Sequence, residues 1–318
     1  MHSTTNHPHS LVFQPGAADT SVRVSGAGII VECAMPWLAG PTRQTLGTGM
    51  LARQQDDGYT LESDTGICGV LVAELGSDLA ATTGGLYARL FALTRGMPIQ
   101  RIWNFVPRIN RIENGVENYL AFNAGRHRAF VGEFGRIPPA GPPAASALGV
   151  HGRHLALAFT AGISPVRNFE NPLQIPASHY PERYGKNPPL FTRGSVIPTP
   201  RGTIAHLSGT SSVRDSESVG GTFAEQLDVT LANIDIMLAN MAVDPAASGD
   251  WKVFLRHPED LPECRAAMQA RYPASIGHTI FLHADICRAD LLLEVEAAFF
   301  TSSDSTREGF SRSFAHQS

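Results

Sequence analysis

From about residue 195 onward, apolar and polar positions fall into the two periods that separate strands from helices. Ser195–Ile197 and Thr203–Ser208 read as strands around the turn Thr-Pro-Arg-Gly, and the small-residue loop SGTSS (208–212) follows. Phe223–Met241 carries apolar residues at 227, 231, 234, 238 and 241, the spacing of one helical face. DWKVFLRHP (250–258) predicts a strand and LPECRAAMQARY (261–272) a short helix, before the closing strands GHTIFLHAD (277–285) and LLLEVEAAFF (291–300). The order is β-β-α-β-α-β-β.

The earlier part of the chain repeats some of this order. ATTGGLYARLFALTRGM (81–97) predicts a helix, IQRIWNFVPRI (99–109) a strand like DWKVFLRHP, and GVENYLAFNAGRHRAF (115–130) a second helix. HLALAFTAG (154–162) resembles HTIFLHAD. Self-similarity at a spacing of about 150 residues indicates two related α/β domains, with α+β character, each a mixed β-sheet packed by helices on one face. The expected division is a disordered N-terminus at 1–20, a first domain at 21–165, a Pro-rich connection at 166–190, a second domain at 191–300 and a disordered tail at 301–318. Ligand sites often form where two domains meet. The segment HYPERYGKNPPLFTRG (179–194), rich in proline, cations and tyrosine, lies at that connection.

Composition narrows the function. Apolar residues make up 43% and charged residues 17% of 318, enough for a sizeable core and too little charge for a disordered chain. A net charge of −4 without a basic block gives a nucleic-acid partner no electrostatic support. Cys33, Cys68, Cys264 and Cys287 form no CxxC pair, which suits reduced thiols. The start reads as no secretory signal and no apolar run is long enough for a membrane span, so a cytoplasmic protein without a membrane partner is expected. The histidines His2, His7, His9, His151 and His154 lack the spacing and the carboxylates of a metal site. Neither a metal nor a cofactor is expected.

The stretches LFTRGSVI, HLSGTSS, the helix with Asn233, and LEVEAA together resemble the Rid (reactive intermediate deaminase, YjgF-like, chorismate-mutase-like) fold. RIWNFVPRIN, GVENYLAFNAGR, PAASALG, ENPLQIPASHYPERYG, FTRG, SGTSSV and HADICRADLLLEVEA are similar to a narrower family, the chorismatases, also called pteridine-dependent deoxygenase-like proteins. That resemblance spans about residues 65 to 300. It implies cofactor-independent cleavage of chorismate to pyruvate and either 3- or 4-hydroxybenzoate, or hydrolysis to pyruvate and a trans-dihydroxycyclohexadiene carboxylate. The Rid fold also admits a homotrimer.

Chorismate carries two carboxylates, which arginines bind bidentately. Arg193, Arg126 and Arg183 are the candidates, with Tyr180 and Tyr184 to hydrogen-bond a carboxylate or lean on the ring. Cleavage of an enol ether begins with protonation of its methylene carbon, which needs a carboxylic acid kept neutral in a poorly solvated pocket. Glu294 and Glu296 lie in an apolar strand at i and i+2, hence on one face. Glu294, in the place of the Rid-family strand glutamate, is the first choice for the acid and Glu296 the alternative. Gly209, Thr210 and Ser211 are candidates to offer hydrogen-bond donors, and the resemblance gives the region of His283 a part in product choice. Cys287 reads as a packing residue. His278 stands near the place where Rid deaminases carry a carboxylate-binding arginine, which argues against 2-imino acid deamination. A non-catalytic binder of aromatic acids is the remaining alternative.

Overall fold

The computed structural model describes residues 7–13, 17–25, 28–55, 58–94, 96–135 and 141–302. Its first half contributes strands β1 (His7–Phe13), β2 (Ser21–Ser25), β3 (Gly28–Cys33), β4 (Trp37–Ala39), β5 (Arg43–Gln55), β6 (Gly58–Ser63) and β7 (Gly66–Glu74). Helix α1 (Leu79–Thr94), β8 (Ile99–Pro107), the ribbon β9 (Ile112–Glu113) and β10 (Val116–Glu117), α2 (Asn118–Phe134), β11 (Ala144–Val150) and β12 (His154–Gly162) complete it. The second half runs β13 (Arg167–Phe169), β14 (Gly194–Thr199), β15 (Gly202–Thr210), the ribbon β16 (Val213–Arg214) and β17 (Glu217–Ser218), and α3 (Phe223–Asn240). It closes with β18 (Gly249–Leu255), α4 (Leu261–Arg271), β19 (Thr279–His283) and β20 (Leu293–Ser302).

The strands form a nine-stranded sheet, β11-β8-β12-β7-β6-β5-β1-β3-β2, and a seven-stranded sheet, β13-β14-β15-β20-β18-β19-β4. Within them the orders β6-β7-β12-β8-β11 and β14-β15-β20-β18-β19 correspond strand for strand, with β8–β11 and β18–β19 parallel and the other pairs antiparallel. The internal repeat is therefore real, but one of its expected equivalences is not. HLALAFTAG is β12 and corresponds to β20, not to the strand at 277–285. The counterpart of that strand is β11, AASALGV, whose small residues gave no strand signal although every one is buried.

Alternate residues of each strand decide which layer they join. Trp103, Phe105, Leu148, Ala156 and Ala158 of the first sheet pack against Phe254, Ile280, Leu282 and Ala284 of the second. Ile102, Val106 and Leu157 face α1 and α2, while Val253, Val295 and Phe299 face α3 and α4. The sheets thus lie face to face with helices outside, α3 docked by its predicted apolar stripe. Burying each large side chain of these layers contributes about 1.5–3 kcal/mol. A capping box at Thr222 and Glu225 fixes where α3 begins.

Two further expectations change. Disorder over 1–20 does not hold at His7–Phe13, which pairs with both β3 and β5 because Leu11 and Phe13 are fully buried. The SGTSS segment is not all loop: Ser208–Thr210 belongs to β15. Thr301 and Ser302 continue β20, and the remainder of the tail, 303–318, lies outside the described residues.

Candidate active site

β20 is an interior strand, flanked by β15 and β18, so its two glutamates do not lie on a solvated edge. Leu293, Val295 and Ala297 face the helices. Glu294 and Glu296 consequently point into the space between the sheets, where both are buried.

The register of β15 against β20 shifts between Leu207 and Thr210, a bulge that sets Ser208 and Gly209 beside the glutamates. A Cβ at Gly209 would lie 2.0 Å from Glu294 Oε1, so only glycine leaves room for that carboxyl. Glu294 Oε1 is buried and has no hydrogen-bond partner. Burial pushes its carboxyl up to about 8, the charge of Glu296 adds to this, and Arg101 and Arg193 pull the other way.

Glu296 has the opposite surroundings. Its Oε2 accepts from Arg101 Nη2 at 2.7 Å, and its Oε1 meets Lys252 Nζ at 2.5 Å and accepts from Trp103 Nε1 at 3.0 Å. Burial raises it, but Lys252 and Arg101 outweigh that and hold it below the usual carboxylate range. Two glutamates on one face are thereby split into a neutral acid and a fixed anion.

Glu294 forms part of the wall of a cavity of about 370 Å³, within the range of small-molecule sites. Ala145, Ser146 and Ala147 of β11, Phe191, Val213 and Leu291 give it a largely apolar lining, with Gly209 and Ser211 at the bulge. Arg193 and Arg126 also line it, both buried and each with an Nε that makes no hydrogen bond. Arg193 donates to Tyr180 Oη at 2.6 Å and lies 3.9 Å from Glu170, while Arg126 donates to Asn123 Oδ1 at 2.7 Å. Ser211 Oγ is likewise buried without a partner.

The structure therefore brings together Glu294, Arg193, Arg126, Tyr180, Gly209 and Ser211. Arg183 and Tyr184 line the cavity too, but both bind Glu217, and the Arg183 side chain is 58% exposed. Thr210 is not among the lining residues; its Oγ1 donates to the Ser208 carbonyl at 2.9 Å. His283 is outside as well. It ends β19, which β18 separates from β20, and its amide bonds the Pro36 carbonyl.

Sequence reasoning missed Arg288, whose guanidinium stacks 4.1 Å from the Tyr184 ring centre and 5.1 Å from that of Tyr180. It also missed Arg101 and Lys252. Their signal was a single cation inside each of two apolar strands, QRIWNF and DWKVFL, where an unpaired charge would be intolerable. Cys287 does more than pack: it lines the cavity, with burial pushing its thiol up to about 12.

Among known proteins, residues 46–161 match the family model described as chorismatase FkbO/Hyg5-like, N-terminal. A chorismatase of Streptomyces hygroscopicus is 34% identical over 249 residues, covering 74% of this chain and 72% of that one. A 3-hydroxybenzoate synthase of the same organism is 32% identical over 257 residues, with 75% and 74% covered. A crystal structure of a chorismatase matches with a TM-score of 0.81 at 28% identity over 94% of both chains. The chain belongs to the chorismatase family. Its mixed α/β architecture is that of paired Rid-like sheets packed by helices. No helix among the described residues is long and apolar enough to cross a membrane.

Proposed function

We propose that this protein is a chorismate-cleaving lyase that releases pyruvate and a hydroxybenzoate, with 3-hydroxybenzoate the principal product and Glu294 the general acid. The observation that carries this reading is a buried, neutral carboxyl whose Oε1 has no protein partner, in the wall of a cavity flanked by arginines. Arg193 and Arg126 bind the substrate's carboxylates, and Tyr180, tied to Arg193, positions the ring. Arg288, at the same wall, adds a third cation.

Glu294 gives its proton to the enol methylene carbon, turning the ether into an oxocarbenium ion whose charge the new carboxylate faces. The bond between ring carbon and ether oxygen breaks, and pyruvate leaves with that oxygen as its ketone. The neighbouring hydroxyl oxygen then bonds the electron-poor ring carbon as a protonated epoxide, its original C–O bond breaks, and the carbon that received the oxygen loses its C–H proton, which gives 3-hydroxybenzoate. Loss of the proton without that transfer gives 4-hydroxybenzoate. Pyruvate and either hydroxybenzoate sum to chorismate with no water added. The proton taken from the ring restores Glu294 to its neutral form, so one carboxyl serves both steps.

The similarity to a 3-hydroxybenzoate synthase supports the 3-isomer. The test is to incubate the purified protein with chorismate, follow pyruvate and separate the aromatic products. Equal amounts of pyruvate and 3-hydroxybenzoate are expected. A diene diol would make water the nucleophile, and an absence of pyruvate beside a working chorismatase would overturn the reading.

A further inference from the structure

The two cations between the sheets have no direct part in that scheme, yet both lie on the acid's doorstep. Arg101 (β8) and Lys252 (β18) are buried and share the inter-sheet face with Glu294 and Glu296. Either cation, free to turn, would pair with the unpartnered Glu294 and convert it to a carboxylate with no proton to give.

The contacts of the pair run to other partners. Arg101 reaches Glu296, Ser146 Oγ at 3.1 Å and Ser208 Oγ at 3.2 Å, and Lys252 reaches Glu296 and Gln44 Oε1. Trp103 completes the shell around the Glu296 carboxylate. Ser208 is itself fixed, donating to the Thr192 carbonyl and accepting from the Ala145 amide. Taking the proposed acid role of Glu294 as its frame, we propose that Glu296 is a positioning residue that sequesters Arg101 and Lys252, so that neither cation is available to Glu294. Its carboxylate never touches the substrate; it fixes the charge state of the group that does.

The charged groups around Glu294 come from several elements. They are Glu296 on its own strand, Arg101 from β8, Lys252 from β18, Glu117 of β10, Arg126 from the middle of α2, Arg183 and Arg193 ahead of β14, and Arg288, Asp290 and the Cys287 thiol in the loop before β20. His206 on β15 is neutral, burial holding it at about 3. Of the groups acting directly on Glu294, Glu296 raises its proton affinity while Arg101 and Arg193 lower it. Loss of the Glu296 charge thus releases two cations and at the same time removes an anion that acts directly on Glu294.

The experiment titrates Glu294 directly in the full chain. Its carboxyl C=O stretch is followed by difference infrared spectroscopy and assigned by its loss in Glu294→Gln, with kcat/KM for chorismate measured over the same pH range. Glu296→Gln is expected to move both curves to lower pH by at least about one unit, a ten-fold loss of proton affinity. Lys252→Met, which removes a cation and keeps the anion, is expected to move them the other way. The opposite signs keep the test valid should Glu296→Gln fold poorly, because Lys252→Met alone then decides it. A lower rate in Glu296→Gln with the Glu294 titration unmoved would make Glu296 merely structural, and an acid shift in Lys252→Met would overturn the proposal outright. The infrared signal needs no turnover. A protein inactive on chorismate but shifting as described would therefore lose the lyase reading and keep this one.

Discussion

The two halves of the molecule share one topology and differ at the positions that face each other between the sheets. Phe105 of β8 pairs with Ala156 of β12, and Phe254 of β18 pairs with Glu294 of β20; two residues on, Ala158 opposite Trp103 corresponds to Glu296 opposite Lys252. The same inward-facing sites carry methyl groups in one half and carboxyls in the other. The first half also keeps an unbroken register between β7 and β12, where the second has the bulge at Ser208 and Gly209. The lesson is that a carboxyl between these sheets needs more than a substitution: it needs the bulge to make space and a cation–anion set to fix its charge. The first half supplies the remainder, contributing Arg101, Trp103, Ser146 and Arg126 to a site whose proposed acid belongs to its partner half.

That contrast breaks most sharply if the second half is made to resemble the first. Glu294→Gln should lower kcat by about 10²–10⁴-fold while chorismate still binds, as equilibrium titration of the variant will show. The converse change, Ala156→Glu, should destabilise the fold by about 3–5 kcal/mol in a denaturant titration, since no bulge or cation awaits the new carboxyl. Gly209→Ala should cost about 10- to 100-fold in kcat, because its methyl would occupy the place of Glu294 Oε1.

The pH profile sharpens the comparison without any substitution. An acid raised to about 8 is protonated, and active, below that pH, so kcat/KM should be level through neutrality and fall as pH rises through about 8. The same group makes the fold progressively less stable as pH rises from the ordinary carboxylate range to about 8, where the unfolded chain gives up this proton and the folded one keeps it, and Glu294→Gln should abolish this dependence. The smallest effect is expected at the rim. Arg183 is exposed and tied to Glu217, so Arg183→Ala should change KM by less than about five-fold.

The C-terminal half was largely legible because its signals are local. The helical period of α3 and the glutamates at i and i+2 in an apolar strand need no knowledge of distant contacts. The strands before residue 75 went unread for want of such a pattern, although β1 is anchored by buried Leu11 and Phe13. In the site, Arg101 escaped notice because its partner Glu296 lies 195 residues away, a pairing set only by the docking of two sheets. His283 was misplaced for the complementary reason: nearness along the chain suggested a common site, and the strand order puts β18 between.

Strand β4 has a bearing on how this protein can be divided. Trp37–Ala39 comes from the first forty residues, yet it pairs with β19 and closes the far edge of the second sheet. A fragment cut at the Pro-rich connection would leave β19 with a bare row of backbone donors and acceptors, an invitation to edge-to-edge association. Dissecting the halves as separate polypeptides therefore calls for a graft of that short strand, or for co-expression in which one piece mends the border of the other.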